Sequence, residues 1–203
     1  MNVGDLLSVR EMTPVPYDLN GHALPVAVNA CVAQWLGRSS ESSAEHRMRL
    51  VIELSQVSVD SGGGPFGAAV FGPGGELLSV GINRVVPWNS FEYHAECVAL
   101  GIAQTNNRGG FQLPPQSELV TSSSPCCMCF GKFFWSGATQ LTVAARREDV
   151  EQIVGFDEGP IPTDWQETLR RRGFIVWEEV LRDHAVRVLK NYSGPVYQSR
   201  TPA

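Results

Sequence analysis

Three of the chain's five cysteines lie within four positions, in the segment SSSPCCMCFG at residues 122–131. The proline before them favours a helix start at this point. On such a helix Cys126 and Cys129 point about 60° apart, whereas Cys127 is turned away by about 100°. A helix N-terminus lowers thiol pKa values and so favours thiolates, the form that binds metals. We therefore predict that Cys126 and Cys129 share a metal ion and that Cys127 is a small packed residue.

A Cys-x-x-Cys pair alone is compatible with a structural zinc site or with a redox pair. A closed structural site needs two further ligands, and the chain has no second Cys-x-x-Cys. A redox pair is disfavoured because nothing before the motif resembles the strand and tryptophan of thioredoxin-like folds. The companion motif is His94-Ala95-Glu96, about thirty residues upstream of Pro125. Together the two motifs match the signature of zinc deaminases that act on nucleobases.

The chemistry of this signature assigns a role to each of its residues. His94, Cys126 and Cys129 supply three protein ligands to zinc and leave the fourth tetrahedral position for water, which is typical of a catalytic zinc site. Zinc lowers the pKa of that water, and Glu96 acts as general base and then as general acid. Residues i and i+2 point about 200° apart on a regular helix, so His94 and Glu96 must lie at a helix start.

Strands and helices alternate around these motifs. Ser43 can cap a helix that continues to Val59, because hydrophobic residues recur at helical spacing between them. Further helices are predicted over residues 93–105, 126–137, 147–154, 163–173 and 182–192, and strands over 68–85 (a hairpin), 118–124, 138–146 and 174–180. This order predicts an α/β fold, a three-layer α/β/α domain with a mixed sheet. We interpret residues 1–40 as an irregular N-terminal extension and residues 41–203 as the zinc deaminase domain.

Composition and charge exclude several classes of function. Hydrophobic residues make up 43% and charged residues 18% of the 203 residues, as in ordinary globular proteins. The net charge of −5 disfavours nucleic acid as a partner, because Lys and Arg provide nonspecific affinity for phosphates. The chain shows neither a signal-peptide pattern nor an apolar segment near the ~20 residues that span a bilayer. We therefore expect a cytoplasmic protein without membrane contact, in which thiols stay reduced.

The chain resembles the cytidine deaminase-like superfamily and, within it, the bacterial guanine deaminases of the cytidine-deaminase-like type. The resemblance extends from about residue 51 to residue 197 and is carried by GGPFGAAVF, GINRVVP, HAECVAL, LVTSSSPCCMCFGKFFWSG and GFDEGPIPTDW. The last segment is the most specific, since the superfamily at large shares only the zinc motifs. The resemblance implies a mixed five-stranded sheet flanked by helices, one zinc ion per chain, and a homodimer that exchanges C-terminal segments.

The resemblance also implies further site residues. Asn83 would hydrogen-bond the purine edge, and Phe66 would form an aromatic wall for the ring. Glu158 would be a second catalytic acid, and Ala95 and Ser124 would contact the substrate. The plainer alternatives are a turn residue for Asn83, a core residue for Phe66 and a loop acid for Glu158.

The resemblance implies hydrolytic deamination of a free amino-purine, with guanine converted to xanthine and ammonia as the first choice. Ser124 departs from most relatives, in which Glu precedes Pro-Cys, and matches fungal cytosine deaminases and polynucleotide cytidine deaminases. Deamination of cytosine, an aminotriazine such as ammeline, or a pterin is therefore the alternative. A non-catalytic zinc-binding module is a further alternative, and Glu96 counts against it because a structural site does not need this acid. In the C-terminal tail, Tyr192 or Tyr197 either closes the site over the base or packs the last helix.

Overall fold

The computed structural model describes residues 18–19, 21–38, 43–107 and 109–199, which form an α/β fold. The strands are β1 (Asp18–Leu19), β2 (His22–Ala23), β3 (Gly67–Phe71), β4 (Leu77–Ile82), β5 (Glu118–Ser123), β6 (Gln140–Ala145) and β7 (Ile175–Trp177). The helices are α1 (Val26–Arg38), α2 (Ala44–Asp60), α3 (Val85–Trp88), α4 (Ala95–Asn106), α5 (Cys127–Trp135), α6 (Arg147–Ile153), α7 (Trp165–Arg171) and α8 (Arg182–Asn191). A 3₁₀ turn (Phe91–Tyr93) precedes α4.

The central sheet has five strands in the order β4-β3-β5-β6-β7. β3 pairs antiparallel with β4 and β5, whereas β5, β6 and β7 pair parallel. The predicted fold class, with its mixed five-stranded sheet, is therefore confirmed. The carboxyl ends of the parallel strands lie at the same edge of the sheet. At this edge the backbone NH of Ser124, just after β5, donates to the carbonyl oxygen of Ala145 at 2.9 Å.

Two glycines allow helices to pack closely on opposite faces of the sheet. A Cβ at Gly67 would collide with the carbonyl oxygen of Val51 in α2. A Cβ at Gly81 would collide with the carbonyl oxygen of Ala95 in α4. Gly81 pairs with Ala68, which follows Gly67 in β3. Neighbouring residues of a strand point to opposite faces, so α2 and α4 cover opposite faces. The close approach at Gly81 holds the start of α4 against the sheet.

The helix predicted from Ser43 is α2. The Oγ atom of Ser43 accepts a hydrogen bond from the backbone NH of His46 at 3.2 Å, which caps the helix. Met48, Val51 and Leu54 are completely buried on its inner face. Burying such a side chain contributes about 1.5–3 kcal/mol to stability. The prediction of this helix and of its cap is confirmed.

The irregular structure predicted for residues 1–40 is wrong for α1. Val28, Val32 and Trp35 recur at i, i+4 and i+7 and are buried, so this helix has a regular apolar face. The indole Nε1 of Trp35 donates to the carbonyl oxygen of His46 at 3.0 Å, and the two rings stack with centroids 4.8 Å apart. The proline immediately before α1 marks a helix start rather than irregular chain. The boundary between an extension and a deaminase domain stays a prediction.

The other elements follow the sequence prediction closely. The helices α5 and α7 end shortly before Gly137 and Gly173, as predicted. The short helix α3 was not predicted, because its four residues are too few to show a helical period. Among the helices within the described ranges, none has the length and apolar character needed to cross a membrane.

Candidate active site

The two zinc-motif segments meet at the starts of α4 and α5. His94 is the N-cap of α4 (φ −64°, ψ 151°), and Cys126 is the N-cap of α5 (φ −68°, ψ 172°). The Nδ1 atom of His94 lies 3.5 Å from Sγ of Cys126 and 3.6 Å from Sγ of Cys129. All three ligand atoms lie within 4.8 Å of one another. The structure thus brings together the three predicted metal ligands.

The donor set of this group fits zinc. One imidazole nitrogen and two sulfurs, all from buried side chains, match a catalytic zinc site with three protein ligands. The hydrogen bond with Cys129 lowers the pKa of Cys126 to about 4, although burial opposes this effect, so Cys126 is a thiolate. Burial acts to lower the pKa of His94, but the hydrogen bond and charge of Cys126 outweigh it and raise the pKa to about 9. A metal ion that binds here therefore displaces protons.

Cys127 lies outside this group, as the helical spacing predicts. Its side chain is exposed, whereas Cys126 and Cys129 are buried. The expectation that Cys127 is packed is therefore wrong, because the first residue of α5 turns away from the buried face. Its backbone NH donates to the carbonyl oxygen of Glu158 at 3.0 Å. This bond joins the start of α5 to the loop that contains Glu158.

Glu96 lies in the first turn of α4, and its side chain is buried beside the metal-binding group. Burial raises the pKa of Glu96 to about 7, and the negative charge of Cys126 acts in the same direction. A carboxyl group with a pKa near neutrality can both accept and donate a proton at ordinary pH. The irregular backbone at the helix start lets His94 and Glu96 reach one site, as predicted.

A small cavity beside the metal-binding group unites most of the predicted site. Its lining residues are Phe66, His94, Glu96, Ser123, Ser124, Cys126, Phe156, Glu158 and Gln198. Its volume is about 10 Å³, which is room for about one water molecule.

Three of the predicted residues reach this cavity from separate segments. Phe66 immediately precedes β3, and its ring meets that of Phe156 edge-on with centroids 5.4 Å apart. Glu158 is only 5% exposed, and burial raises its pKa well above the usual range. Ser124 is buried directly after β5. The segment that carried the resemblance to guanine deaminases, GFDEGPIPTDW, thus contributes to the cavity wall.

Asn83 and Ala95 do not line the cavity. The Oδ1 atom of Asn83 accepts hydrogen bonds from the backbone NH groups of Gly64 and Val85, each at 3.2 Å. Its Nδ2 atom donates to the hydroxyl of Tyr197 at 2.7 Å. Ala95 is completely buried as the first residue of α4. The substrate contacts of both residues stay predictions.

The C-terminal tail covers the cavity. The ring of Tyr197 lies against that of Phe156, with centroids 4.7 Å apart. Gln198 is bound to Asp157 twice: its Nε2 donates to the Asp157 carbonyl at 2.6 Å, and the Asp157 NH donates to the Gln198 carbonyl at 2.8 Å. The hydroxyl of Tyr192 instead donates to a tail carbonyl three residues on, at 2.9 Å. The ring of Tyr192 also lies near that of Phe156, with centroids 6.1 Å apart. Which tyrosine covers a bound base stays a prediction.

Three residues of this region were not predicted from the sequence. Phe156 precedes Glu158 by two positions in GFDEGPIPTDW, which was a usable signal for an aromatic wall. Gln198 reaches the cavity from the tail without any sequence signal. Cys97 follows Glu96 directly, and its Sγ lies 3.8 Å from that of Cys129. Its position after the His-x-Glu motif was a signal that could have been used.

Comparison with known families identifies one region of the chain. Residues 41–145 match the cytidine and deoxycytidylate deaminase zinc-binding region. The matched residues include the metal-binding group and Glu96. The zinc chemistry predicted from spacing is therefore the chemistry of a recognised family.

Comparison with individual proteins agrees with this match. The structure of NE0047 in complex with 2,6-diaminopurine is 40% identical, with a TM-score of 0.72, over 87% of this chain and 95% of that chain. The structure of guanine deaminase from Nitrosomonas europaea is 39% identical, with a TM-score of 0.70, over 85% of this chain and 97% of that chain. A probable cytosine deaminase of Schizosaccharomyces pombe is 32% identical over 106 residues, 52% of this chain and 62% of that protein's length.

The family match and the geometry of the site lead to one assignment. The buried imidazole and thiol groups lie within the matched zinc-binding region, with a buried acid beside them. The chain belongs to the cytidine and deoxycytidylate deaminase family and is a zinc-dependent hydrolytic deaminase.

Proposed function

We propose that the protein deaminates guanine, consuming one water molecule and releasing xanthine and ammonia. The observation that carries this proposal is the 40% identity to NE0047, solved with 2,6-diaminopurine, over 95% of that chain. Guanine and 2,6-diaminopurine are both purines with an exocyclic amine at C2. The 39% identity to the guanine deaminase of Nitrosomonas europaea, over 97% of that chain, favours guanine among such purines.

His94, Cys126 and Cys129 would hold the zinc ion. Bound there, zinc would supply a Lewis acid that makes water nucleophilic near neutral pH. The three side chains come from the adjoining starts of α4 and α5. Water therefore attacks the ring from this side of the cavity.

Glu96 moves the protons of the reaction. Its carboxylate accepts a proton from the attacking water and donates it to the ring nitrogen next to the amine. It then accepts the remaining hydroxyl proton and donates it to the amine, which leaves as ammonia. A pKa of about 7 makes both protonation states of Glu96 accessible during this cycle.

The other predicted residues receive roles in holding the base. Phe66 supports the ring, and Asn83 hydrogen-bonds the purine edge. Glu158 holds a second proton near the ring, since burial favours its neutral form. Ala95 contacts the substrate at the start of α4, and Ser124 does so from the end of β5. These roles rest on the resemblance and on the position of each residue in or beside the cavity.

A purine needs more room than the cavity in the structure provides. The cavity measures about 10 Å³, whereas pockets for small molecules are typically about 300–1,000 Å³. Gln198 of the tail lines it, and the amide of Asn83 already donates to the neighbouring Tyr197. The tail must therefore move when the base binds, and this movement frees Asn83 for the substrate.

We further propose a cytoplasmic homodimer that acts on free bases. The net charge of −5 disfavours a nucleic acid substrate, which would require a cationic track. In the single chain the tail covers its own cavity. In the proposed dimer the tails of the two subunits are exchanged, so that each covers the partner's cavity.

Cytosine deamination to uracil and ammonia is the second candidate. The similarity to the probable cytosine deaminase of Schizosaccharomyces pombe, 32% identity over 106 residues, favours it. Ser124 also stands where fungal cytosine deaminases carry the same residue. The comparison covers only 62% of that protein, which makes this candidate weaker than guanine.

Ammonia release from a panel of substrates tests the proposal. Zinc-loaded protein is incubated with guanine, guanosine, adenine, cytosine, cytidine and ammeline, with the Glu96→Ala variant as the blank. We expect rapid release from guanine, little from the other compounds, and none from the variant.

The panel also identifies the outcomes that contradict the proposal. Turnover of cytosine in place of guanine would support the second candidate and direct attention to Ser124. A zinc-loaded protein that releases ammonia from no member of the panel would refute the proposed specificity.

A further inference from the structure

A third thiol lies next to the two thiol ligands of the metal, and the proposed reaction does not use it. Cys97 is 3% exposed, and its Sγ lies 3.8 Å from Sγ of Cys129. Cys97, Cys126 and Cys129 form a buried cluster apart from the main hydrophobic core. Cys97 does not belong to the group of ligand atoms that lie within 4.8 Å of one another. Cys97 therefore contacts the ligand Cys129 and is not itself one of the predicted metal ligands.

We infer that Cys97 is a positioning residue whose S–H group donates a hydrogen bond to the sulfur of Cys129 when the metal is bound. In the absence of metal, either sulfur can be the donor. A cysteine that binds a metal does so as a thiolate and has lost its proton. Cys129 is then only an acceptor, so Cys97 is the donor. This inference rests on the metal-dependent function proposed above, but not on guanine as the substrate.

Lys132 of α5 binds the backbone of Cys97. Its Nζ atom donates to the carbonyl oxygen of Cys97 at 2.8 Å. Lys132 follows Cys129 by three residues on α5, so the two side chains lie on the same face of that helix. The first turn of α4 is thus bound to α5 at the point where the thiols meet.

A hydrogen bond at this position has a clear physical consequence. Cys129 is completely buried, and a buried negative charge without a hydrogen-bond donor is costly. Groups that hydrogen-bond to metal ligands orient them, and their loss typically weakens metal binding by about 10–100-fold. A thiol is a weak donor, so we expect an effect at the lower end, about tenfold.

Three substitutions at one position separate hydrogen bonding from packing. Cys97→Val and Cys97→Ala remove the donor, and Val keeps the approximate volume of the thiol. Cys97→Ser replaces the S–H donor with an O–H donor. The matched control is Cys31→Ala, which removes a buried thiol from α1 instead. Circular dichroism establishes that each variant is folded.

The measurements are the zinc dissociation constant, obtained by competition with a chelator, and the visible spectrum of the cobalt-substituted protein. We expect zinc to bind about tenfold more weakly to the Val and Ala variants. Their thiolate-to-cobalt charge-transfer bands should move to longer wavelength, because a thiolate without a donor gives up electrons more readily. Cys97→Ser should restore both properties toward the wild type, and Cys31→Ala should change neither.

Several results would overturn the inference. If zinc affinity and the cobalt spectrum are unchanged in all three Cys97 variants, Cys97 contributes only packing. The same conclusion follows if the Ser variant has the zinc affinity and spectrum of the Val variant. If all three Cys97 variants lose the metal, Cys97 is a metal ligand and not a positioning residue. If the Val variant does not fold, the Ala and Ser variants make the same comparison. A wild-type protein that binds metal but does not deaminate guanine would contradict the proposed substrate and leave this inference standing.

Discussion

At the scale of single residues, the site combines one metal-binding group with two buried acids. Burial raises the pKa of both Glu96 and Glu158, and Glu96 reaches a pKa of about 7. The thiolate of Cys126 adds to this effect on both acids. The cavity can therefore retain protons near neutral pH, which is what a reaction that protonates a ring and then an amine requires.

Replacing Glu96 by Gln tests its part in proton transfer. The amide keeps the shape of the side chain but cannot exchange protons, so turnover should fall by at least about 10²–10⁴-fold. Zinc should still bind, because His94, Cys126 and Cys129 are unchanged. Ammonia release and zinc content are the two measurements.

The control for this variant is Glu92→Gln, which alters an exposed acid in the 3₁₀ turn before α4. It should leave both turnover and zinc content unchanged. Substantial turnover by Glu96→Gln would show that another group transfers the protons.

Replacing Cys127 by Ser tests whether only Cys126 and Cys129 of the three clustered cysteines bind the metal. Cys127 is exposed and lies outside the metal-binding group. The variant should therefore keep its zinc, measured as metal per chain. Cys126→Ser is the matched comparison, and it should lose most of its zinc. A Cys127 variant without zinc would refute the ligand assignment.

At the scale of elements, an ion pair joins α6 to the C-terminal helix α8. The carboxylate of Asp149 accepts from the backbone NH of Arg146 at 2.8 Å, which caps α6. It also accepts two hydrogen bonds from Arg182, at 2.8 and 2.6 Å. The Arg182 guanidinium lowers the pKa of Asp149. One side chain thus connects two helices and lies only 9% exposed.

Replacing Asp149 by Ala should lower the free energy of unfolding at pH 7 by about 1–3 kcal/mol, since it removes a cap and the partner of Arg182. The folded-state pKa lies below the usual 3.8. The stabilisation is therefore present above that pH and is lost as the pH falls through the folded-state value. Urea titrations of wild type and variant at pH 7 and below pH 4 measure the difference.

The control for this prediction is Asp183→Ala, which removes an exposed acid from the start of α8. It should change the unfolding free energy much less. If the difference between wild type and Asp149→Ala grew on acidification, the linkage argument would be wrong.

Helices could be predicted where apolar residues recur at helical spacing and a capping residue or proline marks the helix start. Ser43 and the periodic residues after it predicted α2, and the proline before the cysteine cluster predicted α5. The helix α1 was missed although Val28, Val32 and Trp35 follow a helical period. Residues 1–40, which include this helix, were instead interpreted as an irregular extension.

At the scale of the whole molecule, the C-terminal tail lies beside the candidate site. Tyr197 lies between Asn83 and Phe156 and is partly buried, although it is near the end of the described chain. Asn83 and Tyr197 are separated by 114 residues in sequence. Their hydrogen bond therefore exists only because the fold returns the tail to the start of α4 and the end of β4.

Replacing Tyr197 by Phe should weaken the closed position of the tail. The lost hydrogen bond with Asn83 is worth about 1 kcal/mol. If the base must displace Tyr197, the KM for guanine should fall by up to about fivefold. Tyr192→Phe is the control, because that hydroxyl bonds within the tail. A higher KM in Tyr197→Phe would show that the hydroxyl helps to hold the base.

The sequence by itself determined the chemistry of this protein. The spacing of Cys126 and Cys129, and the placement of His94 and Glu96 at a helix start, follow from local helix geometry. Local geometry depends only on residues close together in the chain, so it could be worked out before the fold was known.

Only the tertiary structure decided what surrounds that chemistry. The approach of Cys97 to Cys129 spans 32 residues, and the bond between Gln198 and Asp157 spans 41. Contacts across such separations depend on how helices and strands pack, which no local pattern encodes. The closed cavity, the position of the tail and the third thiol, Cys97, are therefore properties of the packing of the whole chain.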